Sequence, residues 1–418
     1  MLGISLNLWR LTLLSVLILP LIPSLGEIGL VIVLVTVSWQ RKQAILNYPL
    51  NWGIALVALG LIISACFAAN VQEALLGLAN FLPFLAIVAV FGQLFTDFKR
   101  LRQLAWVLIL PSLPIVLLGW GQLYGGWSLP NLLGWELVAQ GNPTGRMASV
   151  FIYANFLAIY LLLVFCFTLG LWLENYRQFH QKKALICLSV YLLVQISGLI
   201  LTSSRNAWAI ALVGGLVFAF YLGWRWLVWF VLGMLSVTLW ASYGPEPGRK
   251  FWRNYIPRYI WGRLSDEMYS DRPIATLRKT QWQFSWELVQ QRPWWGWGLR
   301  NFTILYKDQM DVWLGHPHNL YLMLMAETGI PVTVSIMLLV GWILTQAVLI
   351  LPHLREEKII FLTYLIAFSA CIIFNCFDVS LFDLRVNTLS WFILAAIAGT
   401  VLNFNNKSYV LNNHQTQL

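Results

Sequence analysis

Apolar runs alternate with short polar segments along almost the whole chain. Twelve such runs are centred near residues 13, 32, 61, 84, 113, 160, 193, 214, 234, 341, 368 and 395. A run of roughly 20 apolar residues is long enough to cross a bilayer core as a helix. The runs are continuous rather than alternating, which excludes a closed β-barrel. The pattern predicts an all-α polytopic membrane protein with about 12 transmembrane helices. It breaks once at length. From Gly244 to Pro317, between the ninth and tenth spans, polar, charged and aromatic residues replace the apolar run. With no internal repeat and no low-complexity linker, residues 1–418 read as one membrane domain with residues 244–317 as an embedded outer loop.

Inside that loop the period changes. Leu277, Gln281, Phe284 and Leu288 recur at helical spacing, so 275–289 should be a helix lying on the outer membrane face. Arg278, Trp282 and Trp286 share one side of it at i, i+4 and i+8. Arg292-Pro293-Trp294-Trp295-Gly296-Trp297-Gly298 ends the helix, and its glycines permit a close backbone approach. The next apolar run begins directly after His316-Pro317-His318-Asn319.

Composition agrees with a membrane protein: 59% of residues are hydrophobic and only 11% charged, against about a quarter charged in soluble chains. The basic clusters fall in alternate connections, at Arg41-Lys42, at Lys99, Arg100 and Arg102, at Arg177, Lys182 and Lys183, at Arg225, at Arg355 and Lys358, and at Lys407. The positive-inside bias then puts both termini in the cytoplasm and the 244–317 loop outside, which is the periplasm if the membrane is a bacterial inner membrane. The first apolar run has no basic stretch before it and no small-residue cleavage site after it, so a retained helix is expected. The net charge of +10 is largely explained by topology and implies no nucleic-acid partner. The five cysteines all lie in apolar runs without a CxxC pair and read as small hydrophobes.

Topology does not explain the loop's own charge. It carries eleven cations against seven anions. Clustered guanidiniums bind phosphate, so an anionic ligand is one reading; lipid headgroups or internal ion pairs are the other. Arg205, in a tight turn between two apolar runs, is either a functional cation or an interfacial arginine reaching outwards. Arg278 beside indoles suits a ligand combining phosphate and sugar, or belongs to an interfacial aromatic belt. His318 is the strongest candidate for proton transfer, because histidine ordinarily titrates near neutrality and a helix start favours the neutral imidazole; the other reading is a helix-capping or packed histidine. His316-Pro317-His318 has a spacing that metals use, but no third ligand of matching spacing is evident, and no metal or cofactor is expected. Asp378, Asp383 and Arg385 read as a local ion-pair group positioning the last helices, and Glu327 should face protein or water. The chain has no Gly-rich nucleotide loop, no serine-hydrolase elbow and no paired carboxylates at glycosidase-like positions.

Several of these motifs coincide in one family. His318-Asn319-Leu320-Tyr321-Leu322 with Ala326-Glu327-Thr328-Gly329-Ile330-Pro331 resembles the HNxYL…AExGIPG signature of the O-antigen ligase and polymerase superfamily. Ser204-Arg205 with Trp208 resembles its TxSRxxW/L turn, and Arg278…Arg292-Pro293…Gly296-Trp297-Gly298…Asn301-Phe302 its R…W…RPxxGxGxxNF segment. Arg146 through Asn155 is similar to the family's RxxGxFxxxN pattern, with Ser149 standing where glycine is usual. The resemblance covers residues 140–335 by motif. It implies transfer of a glycan from an undecaprenyl-diphosphate carrier to the hydroxyl of a glycan, lipid or protein acceptor, with inversion and without metal or nucleotide. Carried over, Arg205 and Arg278 would hold the diphosphate, with Arg146, Asn319 and Trp282 as further substrate contacts, and His318 would be the base. Phe382-Asp383-Leu384-Arg385-Val386-Asn387-Thr388 and Leu322 to Glu327 also resemble a branch described as putative bicarbonate-transport proteins, which makes inorganic-carbon transport the alternative.

Overall fold

The computed structural model describes residues 6–132, 135–265, 267 and 273–415. Asp266, Asp271 and Arg272, counted in the loop's charge, lie outside the described residues, as do the side chains of Arg263 and Lys407. The first half of the chain forms α1 (Leu6–Ile18), α2 (Pro23–Gln40), α3 (Lys42–Leu46), α4 (Pro49–Cys66), α5 (Val71–Leu78), α6 (Leu82–Phe91), α7 (Phe98–Ile109) and α8 (Ser112–Tyr124), then β1 (Leu129–Leu132) and β2 (Trp135–Leu137). There follow α9 (Ala154–Glu174), α10 (Lys182–Leu201), α11 (Arg205–Tyr221) and α12 (Arg225–Tyr243). The long loop holds α13 (Gly248–Arg253), α14 (Arg258–Leu264), α15 (Arg278–Gln291) and α16 (Asn301–Met310), and the chain closes with α17 (Leu320–Ile350), α18 (Lys358–Phe374) and α19 (Leu384–Gln415).

This is a polytopic all-α membrane protein. Among the described residues nine helical segments are long and apolar enough to cross a membrane, and three shorter apolar helices, α1, α11 and α18, occupy the remaining expected positions. Two spans are built from broken helices. Pro83 lies in the first turn of α6, and Pro111 stands between α7 and α8, because proline has no N–H to continue the ladder. The helices α9 and α19 are buried along most of their length and form the centre of the bundle, whereas α12 is exposed almost throughout. One short antiparallel hairpin, with Leu129 opposite Leu137, departs from the all-helical reading. It sits between α8 and α9, where Gly125 and Gly126 end the apolar run.

The 244–317 loop is fastened to α17 by backbone. The ladder of α17 is interrupted at Gly329 (φ 80°, ψ 164°), with Pro331 following. Into this kink fits the Pro-Trp-Gly segment after α15. Trp297 N–H donates to Ala326 O at 2.9 Å, Gly298 N–H to Glu327 O at 2.7 Å, and Ile330 N–H to Pro293 O at 2.8 Å. A Cβ on Gly296 (φ +69°) would stand 2.4 Å from the Glu327 carbonyl, so only glycine allows the approach. The buried Glu327 side chain accepts from Phe302 N–H at 3.2 Å and so caps the start of α16. Its place is therefore against protein, as expected. Two of the three clustered tryptophans pack on protein: Trp295 stacks on Phe67 and Trp297 lies under Arg292 at 4.0 Å, while Trp294 is exposed.

The kink gives a paired prediction. Gly223 also has positive φ (+78°) but open space around its missing Cβ. Gly223→Ala should cost only the left-handed strain, about 1–2 kcal/mol. Gly296→Ala should lower the melting temperature of the detergent-solubilised chain clearly further, because loop and kink must separate. Equal shifts for the two variants would contradict this docking.

Candidate active site

The site is built on the turn before α17. Asn319 caps the helix, its Oδ1 accepting from Leu322 N–H at 3.0 Å. That oxygen is therefore engaged in a structural role. His318 has φ +52°, a left-handed conformation costly for a non-glycine residue and characteristic of functional sites. Three contacts hold the turn. Trp282 Nε1–H donates to Pro317 O at 3.0 Å, Leu320 N–H donates to Asn375 O at 2.9 Å, and His318 N–H donates to His316 Nδ1 at 3.2 Å.

The last contact fixes the state of His316, since Nδ1 can accept only if it carries no proton. Its Nε2–H then lies toward Asp378 Oδ1 at 3.8 Å. Burial pushes His316 down; Asp378 opposes this, and the charges of His318 and Arg278 reinforce it, so that it titrates at about 4. His316 is thus neutral at neutral pH. His318 Nδ1 lies 3.1 Å from Asp378 Oδ1. With the carboxylate ionised, Nδ1 is the donor and Nε2 retains a lone pair, the arrangement that orients a histidine base.

Asp378 is the hub of the network. It is buried, which alone would raise its pKa, but the hydrogen bond from His318, the charges of both histidines and the Val379 N–H outweigh burial and hold it at about 2. Its Oδ2 accepts from Asn155 Nδ2, and Asn155 Oδ1 accepts from Arg146 Nη2. Arg146 Nε–H donates to Thr202 O at 2.7 Å, in the turn that precedes Arg205. Asn206, next to Arg205, donates to Phe374 O at 3.0 Å at the end of α18. The start of α9, the α10–α11 turn, the α18–α19 connection and the start of α17 thus converge on one end of the bundle.

The other expected residues fall around this network. Arg205 is exposed as the first residue of α11, and Arg278 is exposed as the first residue of α15, its charge acting on His316. The half-buried Trp282 has its ring N–H engaged by the turn, and Arg146 reaches Asp378 through Asn155. A cleft of about 820 Å³ opens beside the histidines. Its walls include Tyr153, Arg300, Lys307 and Phe382, and neither Arg205 nor Arg278 lines it. Arg300 pairs there with Glu73 at 2.9 Å.

Two expectations need correction. Asp378 does not join an ion-pair group with Arg385. Arg385 Nε stands 3.8 Å from Asp383, and its Nη1 donates to Val150 O at 2.7 Å, while Asp378 turns to His318. And a third potential metal ligand does exist: the ligand atoms of His316, His318 and Asp378 lie within 4.8 Å of one another. Asp378 is 60 residues from His318 on another connection, so no local spacing could have pointed to it.

These features define a polytopic helical membrane protein with a histidine–carboxylate site where its long 244–317 loop meets the bundle. Residues 188–337 match the family of O-antigen ligases. The matched stretch contains Arg205, Arg278 and His318 but not Arg146, Asn155 or Asp378. The chain is therefore similar to the O-antigen ligase and polymerase superfamily, and the match supports glycan transfer of that type in a bacterial membrane. No curated protein matches the chain. The likeness to the bicarbonate-transport branch finds no support in the match.

The charge states predict an acid response. The pKa of His316 is lower in the folded than in the unfolded chain, so its contribution is stable above about pH 6.5 and is lost as pH falls toward 4. Asp378 has the same sign, its folded pKa also being lowered, but loses its contribution only between about 3.8 and 2. Thermal unfolding of wild type in detergent should therefore weaken from pH 6.5 to 4, and His316→Gln should flatten that slope. An unchanged slope would contradict a neutral buried His316.

Proposed function

We propose that this protein transfers a glycan from an undecaprenyl-diphosphate carrier to an acceptor hydroxyl at the periplasmic face of the inner membrane, with both termini in the cytoplasm. The observation that carries this reading is the His318–Asp378 contact, which occupies Nδ1 and leaves Nε2 as the base; His318, though not Asp378, lies in the stretch similar to O-antigen ligases.

In this reading His318 Nε2 takes the proton of the acceptor hydroxyl as its oxygen attacks the anomeric carbon. The bond from that carbon to the diphosphate oxygen breaks on the opposite side, which inverts the anomeric centre. The carrier leaves as undecaprenyl diphosphate, and Arg205 and Arg278 offset the charge that develops on it. The donor arrives activated, so the step needs neither nucleotide nor metal. Asp378 keeps the imidazole in the required tautomer. Asn155 and Arg146 keep Asp378 in place, so Arg146 acts by positioning rather than by gripping substrate. Trp282 orients the His316–His318 turn, and its ring face can lie along a sugar.

In cells that depend on this protein for a surface polysaccharide, His318→Ala, Arg205→Ala and Arg278→Ala should each abolish the polymer and leave lipid-linked glycan accumulated at normal protein levels. Asp378→Asn should reduce transfer by roughly 10²–10⁴-fold, since an amide N–H opposite Nδ1 favours the wrong tautomer. Wild-type glycan profiles in the first three variants would refute the proposal.

A further inference from the structure

The same three side chains that orient the proposed base also form a donor set for a cation. His318 Nδ1 and Asp378 Oδ1 are 3.1 Å apart, His316 Nε2 and Asp378 Oδ1 are 3.8 Å apart, and all three ligand atoms lie within 4.8 Å. An ion bound tetrahedrally by imidazole nitrogen and carboxylate oxygen at 2.0–2.2 Å sets its ligands roughly 3.3 Å apart. The observed separations bracket that value, and closing the widest one needs a shift of about 1.5 Å or less.

We propose that His316, His318 and Asp378 bind a divalent transition-metal ion of the zinc class, and that the bound ion silences His318. Two imidazoles and one carboxylate select Zn²⁺, Co²⁺ or Ni²⁺ over Mg²⁺ and Ca²⁺, which prefer oxygen ligands. Both histidines line the 820 Å³ cleft, so water has access to a fourth position. The site is assembled before any ion arrives. The His316 and His318 rings sit edge to face with centroids 4.6 Å apart, and His316 stacks on Phe382 at 5.9 Å. Near neutral pH Asp378 is already ionised and His316 is neutral; for Nε2 to coordinate, the proton it carries passes through solvent to Nδ1, which gives up the contact from His318 N–H.

Binding has a chemical consequence. The ion takes the Nδ1 lone pair of His318, and the proton that Nδ1 carried is relocated through solvent to Nε2. The ring stays neutral in the other tautomer. Nε2 then has no lone pair for an acceptor hydroxyl, and Asp378 no longer steers the ring. This second half rests on the proposed role of His318 as base; the binding site does not.

The test is a Co²⁺ titration of the full purified chain in detergent after chelator treatment, read by visible ligand-field absorption. Wild type should bind one Co²⁺, with Zn²⁺ displacing it and Mg²⁺ having no effect. His316→Ala and Asp378→Ala should each weaken binding by at least about 10-fold, and His353→Ala, a residue after α17 outside this site, should leave it unchanged. In wild type alone, Zn²⁺ should protect His316 and His318 from diethyl pyrocarbonate, which keeps the test independent of how the variants fold. Absence of Co²⁺ absorption, or binding that persists in both variants, would overturn the site. In a transfer assay, chelator-reversible inhibition by Zn²⁺ supports both halves. Stoichiometric binding with undiminished transfer upholds the site and counts against His318 as the base.

Discussion

The hydrogen bond between His318 and Asp378 is the constraint on which the site depends. It joins the turn before α17 to the connection between α18 and α19, two segments that meet only at one end of the bundle. A carboxylate buried there is tolerable because four groups offset its desolvation: two imidazoles, the Val379 N–H and the Asn155 amide. Removing any of them leaves a charge short of partners in a low-dielectric place. The same arrangement explains why a histidine keeps a left-handed backbone conformation: the contacts at Pro317, Asn319 and Asp378 over-determine it.

The long loop before α17 is a second requirement. It carries Arg278 and Trp282, and these have a defined place only because the Gly296–Gly298 segment docks into the kink at Gly329. Kink, loop and histidine turn are successive parts of one device. Glu327 links them further by capping α16, whose residues Thr303, Ile304 and Lys307 line the cleft beside His318. The aromatic richness of the loop is thus spent largely on packing, at Trp295 and Trp297, and on orienting the turn, at Trp282.

The spans were legible in the sequence because each is a local property: about 20 apolar residues suffice to specify a helix across a bilayer. The twelve expected centres all fall within helical segments, including the two broken by proline. His318 was legible for the same local reason, at the junction of a polar segment and an apolar run. Its partner was not. Asp378 lies among acidic and basic neighbours, and by sequence the nearest cation, Arg385, was the obvious match. Only part of that expectation holds: Arg385 stands beside Asp383 and donates to the carbonyl of Val150, while Asp378 turns to His318. Asn155 and Arg146 were visible as a motif, but that they form a chain to Asp378 is a fact of packing that no spacing encodes.

The central claim is a single displacement at the anomeric carbon with a neutral histidine as base. Its most direct test is the stereochemistry of the reaction. The purified full chain would be reconstituted in vesicles with an undecaprenyl-diphosphate-linked glycan of known anomeric configuration and an acceptor, and the new linkage read by NMR. The account predicts an inverted linkage formed with one equivalent of released undecaprenyl diphosphate. Retention of configuration, or a new linkage without release of the carrier diphosphate, would contradict it.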